Sequence, residues 1–397
     1  MTPRTPSTAT GRRLALATAL AAVAIQLPIY DRWFGLLDEG YMLSLAADVR
    51  RGQVLYRDVY VDAPFPAAFH VLAAWFALLG TSIWAERVLA VVLFAVFAAA
   101  SVRLATLLVP AFAAGAFAVL LLCYRIWAFP HWHVYSYSSL AVTLLALATL
   151  VVATAGLRPA RWRLLGAGLL AGATVLSKQD YGLACTGALG LYLLLRLAVY
   201  PEEPDRLRRS FQDGLVFGLG AALVVGPVLA AIAAAGAWDA FVYQTVVSPL
   251  TSTRSGTYVE LPPLLPLWRQ DPALRAGIGS YFPAILQTLR WDEIAAGPAY
   301  RTGIAWDLAL KAVFYGPYGV WWTAVAWWGL QLARGRGRPD ALRLLVLAYA
   351  GGFLLAFNTP RDWVHLMMIY PPAMLLGCVL ASDAAARLRA LGRAALA

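Results

Sequence analysis

The stretch 37–69, LDEGYMLSLAADVRRGQVLYRDVYVDAPFPAAF, is the densest set of chemically capable side chains in the sequence. Asp38 and Glu39 stand side by side, Arg57 and Asp58 form a second adjacent pair, and Asp62 precedes Pro64 and Pro66. A carboxylate at a membrane interface can act as a general base. Partial desolvation raises its proton affinity, and a substrate hydroxyl can come within hydrogen-bond reach. The Asp-Glu pair can equally be a helix cap and a first-turn acid set against the helix dipole. On residue types alone the cap is the simpler reading.

Three further residues invite chemistry. His131 and His133 fall two apart in FPHWHVYSYSS, residues 129–139. With carboxylates opposite, two such imidazoles could hold a divalent metal, but beside Trp127, Trp132 and Tyr135 they also read as interfacial belt residues. Contact with a substrate is a better expectation for them than metal ligation. Lys178 sits in a short turn, SKQDY, between two apolar runs. It is either paired with Asp180 or placed to meet a phosphate, for which a compact ammonium is well suited. Arg57 is the second phosphate candidate.

The elements that position these groups are apolar helices. Of 397 residues 61% are hydrophobic and only 13% charged, with mean hydropathy +0.67. A soluble domain carries roughly twice that charge, so the solvent for most of this surface is lipid. Runs long enough to span, about 17–25 residues, fall near 14–30, 87–107, 108–124, 135–156, 164–177, 183–199, 213–236, 309–332, 342–358 and 364–381. The run at 164–177 needs its neighbours to complete a crossing. The expected fold is a single all-α transmembrane domain over 1–397, a bundle of about ten spans.

A further run at 65–79 is decided by the distribution of basic residues. If it does not cross, the clusters Arg158/Arg161/Arg163, Arg206/Arg208/Arg209, Arg334/Arg336/Arg338 and Arg387/Arg389/Arg393 share one side with Arg4, Arg12 and Arg13. If it crosses, the later clusters flip outward, against the positive-inside rule. The run at 65–79 is therefore expected as a juxtamembrane helix in the outer interface. Both termini are then cytoplasmic, in a plasma (inner) membrane. A first outer loop spans about 31–86, and a second, rich in proline, spans about 237–308. Residues 40–50 read as an amphipathic surface helix in the first loop. Arg12-Arg13 followed by LALATALAAVA has the look of a signal peptide, but the apolar run continues to Ile29 and a retained span is expected.

The net charge of +11 sits in short loops between apolar runs and in no nucleic-acid-binding module, so membrane lipids rather than nucleic acid are its partners. Cys123, Cys185 and Cys378 lie within apolar runs, without metal or disulfide spacing. No Walker loop, Rossmann fingerprint, HExxH or GxSxG motif occurs.

The order of motifs resembles one family. An Asp-Glu pair just after the first span, a short helix, Tyr56-Arg57-Asp58, then Asp62 and prolines resembles the first outer loop of the C-type glycosyltransferase superfamily. The polyprenyl-phosphate-dependent members are most similar, among them the protein O-mannosyltransferases and the lipid A aminoarabinose transferases. Ala85-Glu86-Arg87-Val88-Leu89 and GLLAGATVLSKQDYGL, residues 168–183, resemble two further stretches of that family. The resemblance covers about the first 200 residues; beyond them it is one of topology. It implies that Asp38 is the catalytic base and that Glu39 supports it or the acceptor. Asp62 matches a later acid that helps hold a metal in some members. The chain departs from the pattern at Ala63, where some relatives carry a cation, and in 129–139, where some carry a second Asp.

The expected activity is therefore inverting transfer of a sugar, hexosyl or pentosyl, from a polyprenyl-phosphate carrier to a hydroxyl acceptor on the outer face. The acceptor is a lipid, a glycan or a protein. Asp38 and Glu39 are the candidate catalytic residues, and Arg57, Asp58, Asp62, His131, His133 and Lys178 the candidate substrate ligands. No cofactor is required by this reading, although the loop could hold a divalent metal. The alternative is a transporter or flippase for a lipid-linked sugar, whose polar residues belong at the midplane. A third reading is a structural subunit of an envelope-assembly complex, with Asp38 a cap.

Overall fold

The computed structural model describes residues 7–32, 34, 38–129, 132–157, 159–199, 205–251, 260–265, 267, 304–334, 340–357 and 361–395. The regular elements among them are helices, with an isolated bridge between Leu55 and Val59. The helices are α1 (Thr8–Gln26), α2 (Asp38–Arg50), α3 (Ala67–Leu79), α4 (Ile83–Leu108), α5 (Ala111–Trp127), α6 (Tyr137–Ala155), α7 (Arg161–Ser177) and α8 (Gln179–Leu195). They continue with α9 (Arg206–Ala234), α10 (Trp238–Val242), α11 (Ser248–Thr251), α12 (Ile304–Ala333), α13 (Ala341–Ala356) and α14 (Trp363–Ala395).

A helix stands on each of the ten expected apolar runs. Among the described residues five segments are long and apolar enough to cross a membrane on their own: Thr8–Ile29, Ile83–Leu108, Tyr137–Ala155, Arg206–Ala234 and Trp363–Ala390. The protein is an all-α polytopic membrane protein. Ser7, Ser82 and Asp340 cap α1, α4 and α13 with their side chains, and Ser136 and Ser139 form a reciprocal capping box on α6. Each cap satisfies backbone N–H groups that a helix start leaves unpaired.

Helix α3 has 13 residues, about 20 Å of helix against a hydrocarbon core of about 30 Å. Ala68, Phe69, Leu72, Ala73 and Phe76 are buried along it, and Gly80 with φ 84 ends it. These side chains join Met42 and Leu45 of α2, Tyr56, Tyr135, Ile232 and Phe241 in a small core of their own. The larger core lies among α4 to α9 and α12 to α14.

Glycine sets the closest approach in the bundle. A Cβ on Gly168 would come 2.1 Å from the carbonyl oxygen of Phe217, and one on Gly172 would come 2.5 Å from that of Ala221. In the facing helix a Cβ on Gly220 would meet the carbonyl oxygen of Leu165 at 2.3 Å. Helices α7 and α9 thus touch through a small-residue stripe, a common way to bring membrane helices together. The other face of α9 carries Leu207, Phe211, Leu215, Leu219 and Leu223, all exposed at i, i+4 spacing, as a lipid-facing stripe would. Arg196 Nη2 meets Asp213 Oδ2 at 2.5 Å, and Arg343 meets Asp383 at 2.5 Å. Arg125 donates to Gln26 Oε1 at 2.5 and 3.0 Å and lies 4.5 Å above the Phe94 ring.

Candidate active site

The Asp-Glu pair starts α2, and the two carboxylates part there. Glu39 is wholly buried, and its two oxygens take Arg87 Nε at 2.7 Å and Nη2 at 3.1 Å. Arg87 also donates Nη1 to the Tyr30 carbonyl at 2.7 Å. This two-point pair fastens α2 to α4 and to the end of the first span. Glu86 is buried beside it, and one of its oxygens accepts the Tyr135 backbone N–H. Asp38, one residue earlier, is exposed.

Asp38 opens on a cavity of about 330 Å³ that is also lined by Tyr41, Asp62, Trp132, Ser136, Tyr137, Ser138 and His365. The Tyr41 hydroxyl accepts the Asp62 backbone N–H at 2.8 Å, which ties the loop to α2. Burial pushes the Tyr41 phenol well above its usual range, so its hydroxyl stays neutral. Asp38, Asp62, Asp180 and Asp362 all lie within electrostatic range of the Tyr137 ring. The contributing segments meet at one end of the bundle: the starts of α2, α6 and α14 and the α7–α8 turn.

The loop between α2 and α3 is held in a restricted shape. Tyr56 and Ala63 both have φ 71, left-handed backbone that costs a residue with a Cβ about 1–2 kcal/mol. Tyr56 is buried, donates to the Pro64 carbonyl at 3.0 Å and packs edge-on against Phe241. Gln244 accepts the Val61 N–H at 2.7 Å and donates to the Tyr56 carbonyl at 3.0 Å. Gln244 belongs to a π-helical turn, Tyr243–Val247, a distortion common at functional positions. Gln179 donates to the Ala63 carbonyl at 2.8 Å, which brings the α7–α8 turn onto the same loop.

Other sequence candidates lie elsewhere. Arg57 and Asp58 pair at 2.9 Å, and Arg57 Nη1 reaches the Ala235 carbonyl at the end of α9 at 2.9 Å. Arg57 and the Val54 N–H hold the Asp58 carboxyl below the usual carboxylate range. The two stitch the loop to α9 and do not line the cavity. His133 is buried, hydrogen-bonds the Arg32 carbonyl at 3.0 Å and lies against Phe129. It too is absent from the cavity wall. His131 lies outside the described residues. Lys178 is buried behind the wall. Its Nζ stands 4.9 Å from the centre of the Tyr137 ring and 3.7 Å from Asp180 Oδ2.

The cavity also contains a residue that the sequence reading passed over. His365, in the first turn of α14, lines it, and Asp362 Oδ1 binds both the His365 backbone N–H at 2.9 Å and its Nδ1 at 2.7 Å. The signal was present as Asp-x-x-His at the head of the last apolar run, the spacing of a cap and its third residue.

No protein-family model matches the chain, and no curated protein matches it. A solved structure does. ArnT from Cupriavidus metallidurans, in the apo state, superposes with a TM-score of 0.55 at 16% sequence identity, over 96% of this chain and 61% of that chain.

The fold is that of ArnT.

At this identity the likeness to ArnT is one of architecture, and the present chain spans 61% of the length of that ArnT. For a metal, the first-loop acids do not suffice: among the described residues no group of three or more His, Cys, Asp or Glu is placed to hold an ion. Asp38, Asp62 and His365 share a cavity without forming such a set.

Proposed function

We propose that this protein is an inverting glycosyltransferase that moves a sugar from a polyprenyl-phosphate carrier to a hydroxyl acceptor at the outer face of the membrane. The observation that carries the reading is Asp38, exposed in a cavity of about 330 Å³ at one end of an ArnT-like bundle. Asp38 takes the acceptor proton. The acceptor oxygen attacks the anomeric carbon, and the carrier phosphate leaves with the electron pair of the broken C–O bond. Glu39, locked to Arg87, positions Asp38 rather than touching substrate. Asp62 binds acceptor or sugar hydroxyls from the loop. Lys178 offsets phosphate charge through the Tyr137 ring, and it is better placed for this than Arg57, which is committed to Asp58 and Ala235. No step is routed through a metal.

In this orientation both termini are cytoplasmic and the α7–α8 turn faces outward. A transporter is the weaker reading, because transporters hold substrate at broken helices near the midplane whereas these polar groups gather at helix ends. The test is transfer by purified protein in nanodiscs, given radiolabelled polyprenyl-phosphate pentoses and hexoses with lipid, glycan and peptide acceptors. Label appearing on an acceptor supports the transferase. Label crossing a sealed vesicle membrane without transfer supports the transporter.

A further inference from the structure

Asp38 and Asp62 line this cavity, Asp180 and Asp362 also lie within electrostatic range of the Tyr137 ring, and the leaving group of the proposed reaction is itself an anion. Among the described residues lining the cavity, His365 is the one side chain able to carry positive charge. A departing phosphate therefore needs either His365 or a cation from outside the wall. Lys178 is such a cation: its Nζ stands 4.9 Å from the centre of the Tyr137 ring, and it is not among the residues lining the cavity.

The geometry of His365 suits proton donation. Asp362 accepts at Nδ1, 2.7 Å away, and also at the backbone N–H, so the ring is fixed in orientation. An acceptor at Nδ1 keeps a proton on that nitrogen and leaves the other, Nε2, as the working atom. No residue among those described hydrogen-bonds Nε2. A helix cap alone would need the Asp362 carboxylate and the backbone N–H; it gives no reason for an imidazole to line the cavity. Asp38 and His365 also come from different walls, α2 and α14. An in-line displacement needs this division, with the acceptor deprotonated on one side of the sugar and the leaving group assisted on the other.

We propose that His365, positioned by Asp362, is the general acid of this site: its Nε2–H donates to the carrier-phosphate oxygen as the anomeric bond breaks. The inference rests on the transferase reading above. In the step the acceptor O–H proton passes to Asp38 and the acceptor oxygen bonds to the anomeric carbon. The electron pair of the broken C–O bond stays on the phosphate oxygen, which takes the Nε2 proton. His365 ends as neutral imidazole and Asp38 as the protonated acid, so one proton has moved between walls, and exchange with water restores both. The titratable groups that share the cavity with the imidazole are Asp38 and Tyr41 from α2, Asp62 from the first loop and Tyr137 from α6, with Asp362 hydrogen-bonded to it.

The experiment uses full-length protein in nanodiscs, with whichever radiolabelled polyprenyl-phosphate sugar the wild type turns over. Rates are measured against pH for wild type, His365→Ala and Asp362→Asn, with and without added imidazole. Wild-type kcat should fall as pH rises, because the acid is lost on deprotonation. His365→Ala should lower kcat by about 10²–10⁴-fold, lose that alkaline limb, keep KM within a few-fold and recover part of its rate with free imidazole. Asp362→Asn retains a cap and should give a smaller loss of kcat, with the alkaline limb displaced. An alkaline limb that persists in His365→Ala, or a loss that imidazole does not restore, overturns the proposal while leaving the transferase standing. A wild type that transfers no polyprenyl-phosphate sugar overturns the transferase reading and this one with it.

Discussion

Glu39 and Arg87 form a two-point ion pair inside the protein, with Nε–Oε1 at 2.7 Å and Nη2–Oε2 at 3.1 Å. The pair spans 48 residues of sequence and joins α2 to the start of α4. A bidentate arginine–carboxylate contact fixes direction as well as distance. Because Glu39 is held inward, the preceding residue on α2 is turned to the cavity. The adjacent acids of the motif thus divide into a buried anchor and a cavity-facing carboxylate.

That division makes a direct prediction. Removing one partner of a buried pair leaves the other charge uncompensated and costs about 3–5 kcal/mol. Arg87→Ala should lower the melting temperature in detergent sharply, and any remaining activity should follow the folded fraction. Glu39→Gln should lose less stability, since an amide can still accept from the guanidinium. Equal melting curves for Arg87→Ala and wild type would remove the anchor from the account.

The contact between α7 and α9 should be similarly unforgiving. Gly168→Val places a side chain where a Cβ alone would sit 2.1 Å from the Phe217 carbonyl oxygen. The helices must separate, at a cost of about 1–3 kcal/mol at the least. Gly166→Ala, at a position with open space around its Cα, should leave thermal stability within about 0.5 kcal/mol of wild type. Thermal unfolding of both variants compares the two positions.

Much of this architecture is legible in the sequence, and the reason is physical. A membrane helix must satisfy its backbone internally and present apolar residues to lipid, so each of the ten runs announces itself. The short run at 65–79 forms the 13-residue α3. The site was legible only in part. Which of two adjacent acids faces the cavity depends on Arg87, far along the chain, and no local pattern encodes it. Arg57 and Asp58 have the composition of a phosphate site, yet they are spent on each other and on the Ala235 carbonyl. His365 was hidden because a polar pair at the head of an apolar helix reads as a cap, and only the fold brings α14 beside α2.

Lys178 separates a role in binding the donor from a local pair. Its side chain is 10% exposed and that of Asp180 46%, with 3.7 Å between the charges. If Lys178 meets phosphate charge, Lys178→Ala should weaken donor affinity by about tenfold or more, while Asp180→Ala changes it little. With Asp180 open to solvent and 3.7 Å between the charges, the pair itself contributes only about 1 kcal/mol, so neither variant should unfold the protein. Lys178→Arg should restore part of the affinity, since charge returns without the compact ammonium. Unchanged donor binding in Lys178→Ala would take this residue out of the site.

The orientation is open to labelling. Leu78 is 78% exposed near the end of α3, and Ala160 is exposed just before α7. In a background lacking Cys123, an impermeant thiol reagent outside the membrane should reach Leu78→Cys and leave Ala160→Cys untouched until the inner side is opened. Labelling of Ala160→Cys from outside would reverse the map and make 65–79 a true crossing.

The central claim is that Asp38 is the base in a transfer from a lipid-phosphate carrier. Asp38→Asn keeps the shape of the side chain and its place at the start of α2 but removes the proton acceptor. The decisive measurement is initial rate of sugar transfer per folded molecule, for wild type and Asp38→Asn side by side in nanodiscs with the same radiolabelled polyprenyl-phosphate donor. The account predicts a loss of about 10²–10⁴-fold at unchanged melting temperature. Normal transfer per folded molecule with a lowered melting temperature would contradict it, and would leave Asp38 as a helix cap.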